Sequence, residues 1–206
     1  MPGVGGSNWL AVVPVKRLAG AKSRLRGALP GVLHEDLALA LVLDTVVAAL
    51  GCRAVGAVVV VTDDPAVRGA AAALGAEVVP DAPDAGLNPA VDHGAARAGG
   101  RPVAALAGDL PALRAGELAA ALSLAAVRSF VTDAEGTGTT LLAAPPGVPL
   151  EPRFGPGSAA AHLASGALAL PGAWPTLRQD VDTHDDLRAA IRLGVGVHTT
   201  ALLKLG

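Results

Sequence analysis

The chain has 206 residues, long enough to bury a core and short enough that one domain over residues 1–206 is the expectation. Apolar residues make up 51% of it, weighted to Ala, Val and Leu, with two Trp, two Phe and no Tyr; sixteen basic residues against eighteen acidic ones leave a net charge of −2. Without aromatic platforms for stacking bases or a basic surplus, the composition argues against nucleic acid as a partner.

One cysteine, Cys52, has no internal disulfide partner, and no Cys/His group has zinc-site spacing, which fits a reducing cytoplasm. The N-terminal stretch 1–8 is small and polar, without the basic start and apolar run of a secretory signal. The longest apolar stretch, residues 37–50, is interrupted by Asp44 and falls short of the about 20 residues a bilayer needs, so no membrane span is expected. It reads as a helix in the core or at the contact of a homodimer.

In chain order, residues 9–15 are a β-branched run that predicts a strand, followed by a basic loop at 16–26 and a helix over about 33–50. Residues 55–61 are continuously apolar, as in a strand covered on both faces. Asp64-Pro65 then starts a helix and Gly75 stops it. A short strand at 76–79, a helix opened by Asn88-Pro89 and a strand at 103–107 leading into Gly108-Asp109-Leu110-Pro111 continue the alternation. After a helix over 115–127, strands at 130–133 and 139–143 flank Gly136-Thr137-Gly138, a hairpin that would be antiparallel inside an otherwise parallel sheet. Phe154-Gly155-Pro156-Gly157-Ser158 precedes a short helix; residues 167–170 follow, and then Asp180-Val181-Asp182-Thr183, with Thr183 as N-cap and Asp186 in the capping-box position of a helix reaching Leu193. Alternating strands and helices predict an α/β layered fold with a mostly parallel sheet.

In such sheets ligands bind beyond the carboxyl ends of the strands. Asp109 follows its strand through one glycine, as a ligand-facing carboxylate or as an ordinary turn residue. Asp180 and Asp182 are two apart, so in an extended segment their side chains point the same way and their oxygens suit magnesium; the alternative is that they favour the start of the helix beginning near Thr183. Thr139-Thr140 and residues 155–158 combine hydroxyls with exposed amides, as an anion site or as a plain loop capped by Ser158. Lys16, Arg17, Lys22 and Arg24 form a basic loop suited to a triphosphate, or a solvated charged loop. No Walker spacing and no GxGxxG follows the first strand. His34, His93, His162, His184 and His198 show no HExxH and no nucleophilic triad, so they read as structural or surface residues, and Ser158 is not in a GxSxG elbow.

Several segments together resemble one family: Val12-Val13-Pro14-Val15-Lys16 with Ala21-Lys22-Ser23-Arg24-Leu25, Val61-Thr62-Asp63-Asp64, Gly86-Leu87-Asn88, Gly108-Asp109-Leu110-Pro111, Gly138-Thr139-Thr140, residues 154–158 and Asp180-Val181-Asp182. In order, from about Leu10 to Leu193, they are similar to the 2-phospho-L-lactate or phosphoenolpyruvate guanylyltransferases of coenzyme F-420 biosynthesis. The resemblance implies a three-layer α/β/α nucleotide-diphosphosugar-transferase-like fold and transfer of GMP from GTP to the phosphate of a small phosphorylated carboxylic acid, with release of pyrophosphate. It implies Asp109, Asp180 and Asp182 as the catalytic ligands of magnesium, and Thr140, Gly155 and Ser158 as contacts to the acceptor. Lys16 and Lys22 would face the triphosphate, and Asn88 is a candidate for reading guanine. Archaeal members are associated with 2-phospho-L-lactate and actinobacterial ones with phosphoenolpyruvate; the Ala, Gly, Val and Arg usage suggests a GC-rich genome and favours phosphoenolpyruvate. Rival readings are a molybdopterin guanylyltransferase or sugar-nucleotide synthase, weakened by Pro14-Val15-Lys16 where a Gly-rich loop is usual, and a non-catalytic nucleotide-binding domain, weakened by the three aspartates.

Overall fold

The computed structural model describes residues 8–20, 22–82 and 84–204. Residues 1–7, read above for a signal, and Ala21 of the basic segment lie outside them. The strands are β1 (Trp9–Pro14), β2 (Val55–Val61), β3 (Glu77–Val79), β4 (Val103–Leu106), β5 (Ser129–Thr132), β6 (Thr139–Ala144) and β7 (Leu168–Ala169). The helices are α1 (His34–Leu50), α2 (Pro65–Ala73), α3 (Leu87–Ala95), α4 (Ala115–Leu124), α5 (Ser158–Ala164), α6 (Pro175–Arg178), α7 (His184–Leu193) and α8 (Val197–Leu203). Among the described residues they build one sheet of seven strands in the order β3-β2-β1-β4-β6-β5-β7. Only β6 runs against its neighbours: it is antiparallel to β4 and β5, while the other pairs are parallel.

Side chains alternate across the strands and feed two cores. Ala11, Val13, Val58 and Val60 pack with Val42 and Val46 of α1 and Leu118 and Leu122 of α4 on one face. Leu10, Val12, Val59 and Val61 pack with Ala90 and Val91 of α3 and Ala159 of α5 on the other. This is why residues 55–61 lack polar alternation: both faces of β2 are covered. Helices on both sides make the expected three layers. The α3 layer lies so close that a Cβ on Gly94 would stand 2.5 Å from Val12 Cγ1.

Helix α1 is covered by its own chain: Leu37 and Leu41 join Leu187 and Ala190 of α7 in a third cluster. Asp44, which interrupts its apolar run, is buried because its carboxylate accepts from the His198 and Thr199 amides, both at 2.9 Å, and so caps α8. The local signals operate as expected at α2, where the Asp64 side chain accepts from Ala66 and Val67 N–H ahead of Pro65, and at α7, where Thr183 and Asp186 form a capping box. Helix α4 stops at Leu124, short of the expected end at Val127. No helix among the described residues is long and apolar enough to cross a membrane.

Candidate active site

The strand order reverses between β1 and β4, and chain ends there diverge to leave a crevice at the carboxyl edge. A cavity of about 600 Å³ occupies it, lined by Pro14 at the end of β1 and Val15 and Lys16 after it, by Gly108 and Asp109 after β4, and by residues from the β5–β6 hairpin. Because β6 is antiparallel, it begins where the parallel strands end, which brings Thr139 to the ligand edge.

Three contacts hold the acidic wall. The buried Thr45 hydroxyl on α1 accepts from Leu110 N–H at 2.9 Å and donates to the Leu41 carbonyl at 2.9 Å, which fixes the turn carrying Asp109. Val181 N–H donates to the Asp109 carbonyl at 3.1 Å, and this bond sets Asp180 and Asp182 beside Asp109. The Lys22 ammonium then donates to Asp109 and, at 2.5 Å, to Asp182 Oδ1. Burial works against the charge of Lys22, but Asp109 and Asp182 outweigh it and raise its pKa above the ordinary lysine value. Asp180 is pushed up to about 7, first by burial and then by the carboxylates of Asp109, Asp182 and Asp133, with Lys22 pulling the other way. Asp133 itself accepts from the amides of Thr137 at 2.9 Å and Gly138 at 2.7 Å and shapes the hairpin.

The opposite wall is the loop from Arg153 to Ser158. Gly155 (φ 138°) and Gly157 (φ 70°) both lie in backbone regions that favour glycine, and Ser158 is the first helical residue of α5, with Gly157 rather than Ser158 at the cap. Gly155, Pro156, Gly157 and Ser158 line the cavity. Two side chains clamp this loop from behind. Asn88 of α3 accepts from Phe154 N–H at 2.7 Å and donates to the Phe154 carbonyl at 3.1 Å. His162 of α5, wholly buried, accepts from Arg153 N–H at its Nε2, at 2.9 Å, and meets the Thr139 hydroxyl at its Nδ1, also at 2.9 Å.

Of the residues singled out in the sequence, Lys16, Lys22, Asp109, Gly155, Ser158, Asp180 and Asp182 share the cavity wall. Thr140 and Asn88 stand one step behind it. Thr140 is the extra residue of a bulge, since Thr139 lies opposite Thr132 and Leu141 opposite Val131; its hydroxyl is buried with no hydrogen-bond partner among the described residues. The Asn88 amide is taken up by the Phe154 backbone, so its observed work is holding the loop.

A family model described as Guanylyl transferase CofC like matches residues 9–205. The chain belongs to this guanylyltransferase family. The phosphoenolpyruvate guanylyltransferase of Salinispora arenicola (strain CNS-205) is 64% identical over 198 residues, covering 94% of this chain and 92% of that protein. That of Geodermatophilus obscurus is 58% identical over 202 residues, covering 95% and 94%. Among solved structures, a nucleotide-diphospho-sugar transferase, so described, from Desulfovibrio desulfuricans G20 aligns with TM-score 0.68 at 18% identity, covering 97% of this chain and 95% of that one. A Methanothermobacter nucleotidyl transferase aligns with TM-score 0.62 at 21% identity, covering 91% and 98%. At these identities the structural likeness is one of fold, and it agrees with the expected nucleotide-diphosphosugar-transferase-like architecture.

In this guanylyltransferase the acidic wall suits a hard cation by its chemistry. No three His, Cys, Asp or Glu side chains among the described residues already stand as a metal-holding group. Instead an ammonium sits between two of the carboxylates, and Asp180 stands beside them with its pKa raised first by burial and then by the neighbouring carboxylates, which Lys22 offsets only in part. Oxygen donors in charge excess are what magnesium takes. Asp133 and Thr45 are not singled out in the sequence, and His162 reads there as structural or surface, with nothing tying it to the site. Asp133 directly follows β5, so the rule that found Asp109 applied to it as well. Thr45 in an apolar helix and His162 far from Thr139 carry no local signal.

Proposed function

We propose that the chain transfers GMP from GTP to phosphoenolpyruvate with release of pyrophosphate, as a step of coenzyme F-420 biosynthesis. The observation that carries this reading is the cavity's two-sided wall: Asp109, Asp180 and Asp182 with Lys22 on one side, and the glycine-rich 154–158 loop with its amides and hydroxyls on the other. The names borne by the relatives from Salinispora and Geodermatophilus support it. A phosphate monoester, with its second pKa near ~6, is a dianion at neutral pH and needs no general base to become a nucleophile. One of its oxygens forms the new bond to the α-phosphorus of GTP while the bond from that phosphorus to the bridging oxygen breaks, and pyrophosphate leaves with the electron pair. The protein's task is to bring two anions together in line. Lys16 and Lys22 face the triphosphate, and Gly155 and Ser158, with Thr140 behind them, form the acceptor end. Asp109, Asp180 and Asp182 would hold magnesium, which when bound supplies charge neutralisation between the reacting anions.

The test is a panel of acceptors, phosphoenolpyruvate, 2-phospho-L-lactate and a phosphoglycerate, each with GTP or ATP, with products identified by mass spectrometry. GMP joined to phosphoenolpyruvate is the expected main product. A main product from another acceptor, or equal turnover with ATP, would overturn the assignment.

A further inference from the structure

The polarity of one hydroxyl in the cavity wall is set from behind. A backbone N–H can only donate, so Arg153 N–H requires a lone pair on His162 Nε2, and the neutral ring carries its proton on Nδ1. That proton points at Thr139 Oγ1, 2.9 Å away. The ring is wedged between Phe130 and Phe154, at centroid distances of 5.8 Å and 5.3 Å, and has no exposed surface. Burial, with Arg128 and Arg153 nearby, outweighs a hydrogen bond to the Ser158 backbone and holds its pKa down to about 4, so the ring stays neutral at working pH. Thr139 Oγ1 thus has a lone pair occupied by His162, and among the described residues it has no other partner. Its own proton is left to donate. Thr139 lines the cavity and His162 does not, so the free donor belongs to the ligand's side.

We propose that the Thr139 hydroxyl donates directly to an oxygen of the anionic acceptor, and that His162 is the positioning residue that makes it a donor. This rests on the reading that the acceptor lies between β6 and the 154–158 loop. A hydrogen bond to a charged oxygen is among the stronger ones, and its loss corresponds to roughly a ten-fold weaker acceptor.

The experiment measures KM separately for phosphoenolpyruvate and GTP in the full chain carrying Thr139→Val, Thr139→Ser, His162→Asn or His162→Gln. Thr139→Val, nearly isosteric, is expected to raise the phosphoenolpyruvate KM about ten-fold while leaving that for GTP within about two-fold, and Thr139→Ser to restore it. His162→Asn, whose amide reaches the Nδ1 position as a donor, should stay closer to wild type than His162→Gln, which reaches only the Nε2 position. An unchanged phosphoenolpyruvate KM in Thr139→Val, equal rises for both substrates, or no rescue by serine would overturn the proposal. If the histidine variants do not fold, the two threonine variants decide it alone. A wild-type chain that makes no product from GTP and phosphoenolpyruvate would sink the functional reading and this proposal with it, whereas product with an unchanged KM in Thr139→Val sinks only the proposal.

Discussion

His162 gives the structure a pH signature that can be measured without any substrate. Its pKa is about 4 in the fold against 6.5 ordinarily, because the ring is buried and because Arg128 and Arg153 are close, with a hydrogen bond to the Ser158 backbone pulling the other way. The unfolded chain therefore takes up a proton below pH 6.5 that the folded chain refuses until about 4. Stability from this group is complete above 6.5 and is lost as pH falls toward 4. The full difference corresponds to about 3 kcal/mol, of which about 2 kcal/mol has gone by about pH 5. Asp180 has the opposite sign: its pKa is raised from 3.8 to about 7, so it favours the fold increasingly as pH falls through that window. The wild-type curve alone mixes the two, and a difference curve separates them. Urea unfolding of wild type and His162→Asn at about pH 7.5 and 5.0 should show wild type losing about 2 kcal/mol more than the variant on acidification. Parallel losses within a few tenths would refute the assignment of a neutral, bonded His162.

The carboxylates and their supports make three further expectations. Asp182→Asn should cut turnover with GTP about a hundredfold or more at saturating substrates with an unchanged circular-dichroism spectrum, and near wild-type kcat would contradict its place at the reacting phosphates. Gly155→Ala should cost about 1–3 kcal/mol through the backbone alone, because φ is 138° and, beyond its two chain neighbours, no atom of the described residues lies within 4 Å of the added Cβ. It should lower Tm by about 2–4 °C per kcal/mol and raise the acceptor KM more than that for GTP; an unchanged Tm would show that the loop relaxes freely. Thr45→Val leaves Leu110 N–H without its acceptor and should cost about 1–3 kcal/mol and lower kcat, with Thr45→Ser close to wild type; equal effects from both substitutions would assign the role of Thr45 to packing.

What the sequence makes legible here is what one segment encodes. The unbroken apolar run of β2, the Asp64-Pro65 start of α2 and the Thr183/Asp186 box of α7 depend on neighbours within a few positions, and the structure has each of them. Asp109 could be singled out because loops after parallel strands face one edge, and Asp180 and Asp182 because they stand two apart in an extended segment. Their meeting could not be read, since it rests on the Val181 to Asp109 backbone bond and on Thr45, 65 residues before the amide it holds. Asn88 illustrates the converse. Its position at the start of α3 marks a polar side chain near the site, but only packing shows that both its amide groups are spent on Phe154. His162 looks structural in sequence and is structural, yet its two nitrogens reach Thr139 and Arg153, which no spacing rule connects.

The acidic wall departs from what stability alone would select. Asp180 resists ionisation first because it is buried and then because Asp109, Asp182 and Asp133 lie close, with Lys22 as the one ammonium bonded to this group among the described residues. Such conflict between local electrostatics and stability is expected where a ligand resolves it. A cation that binds the folded chain and not the unfolded one should therefore stabilise it by mass action, about 2.7 kcal/mol when the free ion is a hundred times its Kd, or roughly 5–10 °C in Tm for a chain of this size. Magnesium added without nucleotide should raise Tm progressively. Asp180→Asn should raise the Tm of the metal-free protein, because it removes the least comfortable charge, and at the same time blunt the response to magnesium. Calcium and sodium controls separate a specific response from general screening. No shift at about 10 mM magnesium, or the same shift with equal ionic strength of sodium chloride, would show that Lys22 alone satisfies these carboxylates in the absence of nucleotide.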